Sequence, residues 1–238
     1  MNAVTAVSNS SAGMRRIVIA GEIAVCDPRG ALYFPDFGLL AVSDLHLEKG
    51  SSFARRGQLL PPYDTGATLD QLSRVIETHA PLTVLSLGDS FHDVGGSERM
   101  PEPYRVKLTA MMGGREWIWV TGNHDPDAPV GVSGTVADEV ALGALRFRHE
   151  PLKGAAAGEI AGHLHPGAVI VQRGRAVRRR CFATDGERMV MPAFGAYTGT
   201  LNVLDRAYRG LFKWESFFAH MLGAERVYAF AHHRLRAG

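Results

Sequence analysis

Apolar positions in this chain fall into short runs, and most of those runs stop at strongly polar residues. Arg16 to Val25 and Ala31 to Phe34 read as strands, and "PDFG" reads as a turn into a further strand, "LLAVSD". Leu69, Leu72, Val75 and Ile76 recur at the spacing of one helical face, so Thr65 to His79 is a predicted helix, ended by Pro81. "LTVLSLGD" is almost continuously apolar, as a strand buried on both faces would be. Tyr104 to Met112 predicts a second helix, stopped by Gly113 and Gly114, before "EWIWV" returns to strand. Beyond Pro129 come short β-like pieces: "DEVALG", "ALRFRHE", "GEIAGHLHP", "AVIVQRG", "RAVRRRC" and "RMVMPAF". Strand–helix–strand first and mostly strands later predicts an α/β core whose second half closes with more antiparallel pairing. Residues 15–238 are expected to form one domain behind a polar, disordered tail at 1–14.

Composition narrows the class without naming a function. The chain has 238 residues, 46% of them hydrophobic, which is ordinary for a globular protein and argues against disorder. A net charge of +2 neither requires nor excludes a nucleic-acid partner, since only a local basic surface is needed. The first residues lack a basic start and a long apolar stretch, and no run is long enough for a bilayer, so a cytoplasmic protein without membrane association is expected. Cys26 and Cys181 are too few for a thiolate cage and are expected to be reduced core residues.

The candidate chemistry lies where five apolar runs end. The ends are Asp44-Leu-His46, Gly88-Asp89, Gly122-Asn123-His124-Asp125, His149, and Gly162-His163-Leu-His165. In open α/β sheets ligands bind outside the carboxyl ends of strands, so five such ends can meet at one rim. Residues two apart on a strand point the same way, so Asp44 with His46, and His163 with His165, can each grip one site from a rigid backbone. Glycines 88, 122 and 162 allow sharp turns and close approach. Oxygen and imidazole donors without sulfur suit Mn²⁺, Fe, Zn²⁺, Ni²⁺ or Co²⁺ rather than a thiolate site. Asp44, His46, Asp89, Asn123, His149, His163 and His165 exceed what one structural zinc needs and suit two ions sharing a carboxylate. Such a pair, roughly 3.5–4 Å apart, clamps the attacking and leaving oxygens of a displacement at phosphorus.

The motif order D-x-H, G-D, G-N-H-D, H, G-H-x-H resembles the calcineurin-like metallophosphoesterases. The resemblance implies a β-sandwich flanked by helices, with a dinuclear metal site at strand C-terminal ends. It puts Asp44, His46, Asp89 and His165 on one ion, and Asp89 (bridging), Asn123, His149 and His163 on the other. It implies a hydroxide bridging the ions as nucleophile, His124 as the group that protonates or stabilises the leaving oxygen, and Asp125 as an orienting neighbour. Many relatives carry G-D-x-x-D-R, but here the stretch is "GDSFHD". His92 replaces the aspartate, as in the double-strand-break repair nuclease branch, and Asp93 replaces the phosphate-binding arginine, where it would repel a dianion. His92, neutral or charged near physiological pH, is expected to help place a DNA strand beside His124. "SDLHLEKGSSFARRGQLLPPYDTG", "GDSFHD", "GNHDP", "FRHEP", "AGHLHP" and "RRRCFATDGERMVMPAFGAYTGTLNVLD" together resemble the bacterial DNA-ligase-associated metallophosphoesterases. That branch implies a Mn²⁺-dependent phosphodiesterase or DNA endonuclease, acting on single-stranded DNA. It also implies functional association with a DNA ligase, a helicase and a nuclease in repair.

Further signals divide between chemistry and surface. Arg55 and Arg56, with Lys49 nearby, sit in an expected loop after the first motif and are candidates for holding a phosphate backbone. "RGRAVRRR" can track nucleic acid or keep an edge strand solvated. Phe194 and Tyr197 can stack on a base or pack in the core. Competing functions are a serine esterase using Ser90, a non-catalytic metal-binding scaffold, and a phosphomonoesterase or small-nucleotide phosphodiesterase.

Overall fold

In the computed structural model, which describes residues 13–58, 60, 61 and 63–237, the first apolar run is a hairpin and not a single strand. β1 (Arg15–Ile19) pairs antiparallel with β2 (Glu22–Cys26). Ala20 and Gly21 turn the chain at φ of 49° and 90°, the left-handed two-residue turn that matches strand twist. The apolar pattern hid this turn because alanine seldom adopts that backbone. Of the polar tail expected at 1–14, residues 1–12 lie outside the described residues, while the Gly13 carbonyl accepts a hydrogen bond from Val227 N–H at 2.9 Å.

The rest of the first half follows as β3 (Leu32–Phe34), β4 (Leu39–Val42), α1 (Lys49–Arg55), α2 (Asp64–His79), β5 (Thr83–Leu87), α3 (Gly96–Arg99), α4 (Glu102–Met112), β6 (Glu116–Val120) and β7 (Thr135–Ala137). These strands form one sheet in the order β1 to β7, antiparallel up to β4 and parallel from β4 onward. The second half supplies β8 (Glu139–Leu142), β9 (Leu145–Arg148), β10 (Glu159–Ala161), β11 (Pro166–Gln172), β12 (Arg175–Thr184), β13 (Met189–Val190), β14 (Leu201–Asn202), β15 (Phe218–Leu222) and β16 (Val227–Ala231). They form a second sheet in the order β14-β11-β12-β13-β10-β9-β8, with β15 alongside β12 and β16 on β15. The last two strands gave no clear period in the sequence.

Burial sorts the layers. The inner faces meet in a core of Leu39, Ala41, Leu85 and Leu87 against Phe147, Ile160, Phe182 and Met189. On the outer face of the first sheet, Leu40, Val42 and Val84 meet Leu72, Val75 and Ile76 of α2 and Leu108 of α4. β4 and most of β5 are therefore buried on both faces, which is why they read as unbroken apolar runs. The outer face of the second sheet is covered by the C-terminal segment, through Val203, Tyr208, Leu211, Phe212, Phe217 and Leu235. The protein is thus a mixed α/β sandwich, with its α-helices on one side. Cys26 and Cys181 are free and buried. Among the described residues no helix is long and apolar enough to cross a membrane.

Candidate metal centre

Parallel pairing of β4, β5 and β6 brings three strand ends to one rim, and β9 and β10, parallel to each other, bring two more. The donors do not sit on the strands. β4 ends at Val42 and β10 at Ala161, so both His-containing pairs lie in the loops beyond. Asp44, His46, Asp89, His163 and His165 all have left-handed backbone, with φ between 44° and 67°. Each such non-glycine residue costs about 1–2 kcal/mol, and neighbouring loops hold it in place. Asp44 N–H donates to the Gly88 carbonyl, and His46 N–H to the Asp89 carbonyl, at 3.2 and 2.9 Å. Strand alternation was therefore the wrong reason for Asp44 and His46 pointing together. It fails outright for His163 and His165, which join different clusters.

The first cluster is Asp44, His46 and His165. His46 Nε2 and His165 Nε2 stand 3.3 Å apart, and His165 Nε2 is 3.2 Å from Asp44 Oδ1. The second is Asp89, His149 and His163, with His163 Nδ1 3.2 Å from His149 Nε2. Asn123 joins it, since its Oδ1 lies 3.0 Å from His149 Nε2. Asp89 faces both clusters: Oδ1 is 3.4 Å from His149 Nε2, and Oδ2 is 3.9 Å from His46 Nε2. All seven candidate donors therefore meet at one place.

The donor set fits cations. Asp44 is fully buried, and its Oδ1 makes no well-aligned hydrogen bond, only the 3.2 Å contact with His165 Nε2, so it is free to bind a cation. Lone-pair atoms converge in both clusters, and His46, pushed down to about 3 by burial against the pull of Asp44 and Asp89, stays a neutral donor. His149 is raised to about 9: burial opposes its charge, but the Asp89 and Asp44 carboxylates outweigh it. A cation at the second cluster supplies that positive charge in the proton's place.

The sequence pattern that defines calcineurin-like phosphoesterases matches residues 37–183 of this chain, a span that holds every one of these donors. The chain belongs to the calcineurin-like phosphoesterase family. Among solved structures, this phosphoesterase is similar to the Pseudomonas putida nuclease MPE, at 25% identity and a TM-score of 0.68 over 92% of this chain and all of that one. It overlaps more loosely with the E. coli phosphoesterase Yfce, at 15% identity and a TM-score of 0.41 over 81% of this chain and 98% of that one. No curated protein matches the chain.

Beside the donors of this phosphoesterase, His124 is half-exposed. Its backbone N–H donates to Asp89 Oδ1 at 3.0 Å, and its Nδ1 is 3.1 Å from the His92 carbonyl oxygen. A carbonyl only accepts, so Nδ1 carries the proton and Nε2, 3.9 Å from Asp89 Oδ2, is left facing the centre. The His92 ring stacks on His124 with centroids 5.4 Å apart, and its Nδ1 is 3.4 Å from His46 Nδ1. Burial first, then the nearby Lys49 cation, push His92 down to about 4, which favours the uncharged ring near neutral pH. Asp125 Oδ2 accepts from Ser90 N–H and Phe91 N–H at 2.8 and 3.0 Å, tying the Asn123 loop to the Asp89 loop. Burial raises its carboxyl to about 7.

Asp93 does not stand as a bare repelling charge. It is paired with Arg99 at 2.7 Å. Arg55 closes α1 and Arg56 caps it, so the expected loop is helical. Both line an open cleft of about 370 Å³ with Ser52, Asp93, Val94 and Gly95. Ser90 is buried with its hydroxyl 2.7 Å from Ser86 Oγ, which removes it as a presented nucleophile. Phe194 is core, while Tyr197 is half-buried and gives its carbonyl to Lys49 Nζ at 2.9 Å. The sequence reading missed two supports. Glu48 accepts from Thr65 Oγ1 at 2.9 Å, pinning α1 to α2. Arg180 donates to the carbonyls of Ala193 and Gly195, whose N–H in turn meets the Asp44 carbonyl. The triple arginine offered a signal, but which of the three turns inward depends on register.

Proposed function

We propose that the chain is a divalent-metal-dependent phosphodiesterase that cuts the DNA backbone, acting as an endonuclease on single strands with Mn²⁺ as its best metal. The observation that carries this is Asp89 facing two donor clusters with His124 at their open side. The likeness to the Pseudomonas putida nuclease supports nucleic acid over other diesters. Asp44, His46 and His165 would hold one ion; Asp89, Asn123, His149 and His163 would hold the other, with Asp89 between them. Bound there, the ions supply an activated water and neutralise charge on the phosphoryl oxygens.

The protein's own groups do the rest. His124, with its Nδ1–H held by the His92 carbonyl, takes a second proton from solvent on Nε2 and passes that proton to the departing oxygen, returning to the neutral ring. His92 is neutral and Asp93 is tied to Arg99, so neither of these two positions supplies the cation that would greet a monoester's second charge. Arg55 and Arg56 flank it and hold neighbouring phosphates of a strand. A place in repair beside a ligase, a helicase and a nuclease belongs to the same reading.

The test is direct. Metal-stripped protein is resupplied with Mn²⁺ and offered circular and linear single-stranded DNA, duplex DNA, bis-nitrophenyl phosphate and nitrophenyl phosphate. Cutting of the single-stranded circle is expected, with the monoester the poorer small substrate. Efficient monoester hydrolysis with intact circles overturns the reading in favour of a phosphomonoesterase.

A further inference from the structure

The protein is nearly neutral overall, with 26 Lys and Arg against 24 Asp and Glu. One wall departs from that balance. Residues 163–184, 192–204 and 227–238 contain no Asp or Glu at all. Their described residues pack together along one edge of the second sheet. β11 leaves the centre directly after His165, with β12 on one side and β14 on the other. Past β14, Arg236 N–H donates to the Val169 carbonyl at 2.8 Å, and Asn202 Nδ2 donates to the Arg236 carbonyl at 3.0 Å. Buried Leu235 anchors the same segment.

Exposed on this wall are Arg173, Arg175, Arg178, Arg179, Arg234 and Arg236. No carboxylate pairs with any of the six among the described residues. Register places Arg178 opposite Val169 and Arg179 opposite Ala168, so they stand about 7–10 Å along β11 from Pro166. Arg175, opposite Gln172, lies at the far end of the strand. Arg175 and Arg179 project from one face of this hairpin and Arg178 from the other, where its guanidinium donates to Thr200, so the charges flank both sides of an edge that starts beside His165 and runs outward. Lys49, bonded to the Tyr197 carbonyl, joins this wall to the α1 side of the centre.

We infer that the β11–β12 edge and the C-terminal segment form an extended track for a nucleic-acid strand leaving the metal centre. The inference rests on the DNA reading of that centre. Rigidly spaced guanidinium groups match a repeating phosphate chain, each fork taking two oxygens. Its direct continuity with the proposed phosphodiester site favours a polyphosphate backbone over other anions. Its contacts carry no base identity, so the track favours length over sequence.

The experiment uses full-length, metal-loaded protein and the triple variant Arg175→Gln, Arg179→Gln, Arg236→Gln. All three side chains are exposed, and none lies among the metal donors, His124, His92 or the α1 arginines. Binding and cleavage of single-stranded oligonucleotides of rising length are measured across a salt series, with bis-nitrophenyl phosphate as the short substrate. The variant is expected to keep the small-diester rate. It should lose affinity for long strands but not for dinucleotides, and its log–log salt slope should fall by about 2, for three lost contacts at about 0.7 each. Unchanged long-strand affinity and slope in a variant that still cuts DNA overturn the track and leave the centre's reading intact. Loss of solubility alone gives the arginines an anti-aggregation role and also overturns it. Loss of binding to vesicles rich in anionic lipid, with DNA binding unchanged, assigns the wall to membranes instead. Wild-type protein that hydrolyses the small diester yet neither binds nor cuts DNA removes the DNA reading, and the track with it.

Discussion

His124, like His149, has Nδ1 fixed by a main-chain carbonyl and Nε2 directed at the centre, but it stands half-exposed at the open side while His149 is buried among the donors. His124→Ala is expected to keep its ions and lose roughly 10²–10⁴-fold in rate on DNA, the range for a general acid. The loss should shrink on nitrophenyl esters, whose leaving groups need no proton; steady-state rates with metal analysis check it, and equal losses on both would make His124 a binding residue. His92 reaches His124 through its own backbone, which substitution leaves in place. His92→Ala should therefore spare small-diester hydrolysis and reduce DNA cleavage, compared directly on the two substrates. Far from the centre, Asp27 gives a pH signature. Burial raises its carboxyl, but hydrogen bonds from Arg29 and His79 win and hold it at about 2. The folded value lies below the unfolded one, so its stabilisation is complete above about pH 4 and disappears as pH falls through about 2. Urea unfolding should show Asp27→Asn weaker by about 2 kcal/mol near pH 6, with the gap closing in acid.

Among the elements, the loops carry the unusual demands. A Cβ on Gly162 would run into Ser43 Oγ and Asp44 Oδ2, and one on Gly122 into Asp89. These two glycines serve close approach, whereas Gly88, at φ +73°, also needs the left-handed turn. Gly162→Ala should push Asp44 from its cluster, so that the protein binds one fewer ion per chain by elemental analysis; Gly199→Ala, which meets open space, is the control. The donors were legible because strong ligands at strand ends have few other uses. Strand alternation did not give their grouping, because left-handed backbone at His163 and His165 sends neighbours two apart to different clusters; only the family resemblance divided them into two sets. Helix α1 stayed hidden because its seven residues, "KGSSFAR", include glycine and two serines and show no apolar period. The β1–β2 turn stayed hidden behind an alanine. The long helix α2 and the strands buried on both faces were plain, since their pattern is their packing.

At the scale of the molecule, two sheets and a C-terminal cover are held together by more than apolar area. Glu159 opens β10, and its Oε2 lies 2.6 Å from Arg188 Nη2, with both side chains at most 3% exposed. Arg188 also donates to the carbonyls of Leu211 and Leu152, so the pair links the sheet to its cover. Glu159→Ala strands a buried guanidinium and should cost about 3–5 kcal/mol in denaturant unfolding, while Glu159→Leu combined with Arg188→Met should recover most of it. The first sheet ends at Ala137 and the second begins at Glu139, and the donors divide at the same point. Asp44, His46, Asp89 and Asn123 come before it, and His149, His163 and His165 after it, yet each cluster draws on both sides. During synthesis, then, the first half leaves the ribosome with no complete cluster. A full set of donors forms only when the second half docks, so the nascent chain cannot hold both ions before its synthesis is nearly finished. The exposed junction at Asp138 is also where the chain can be divided into two silent pieces whose reunion switches hydrolysis on.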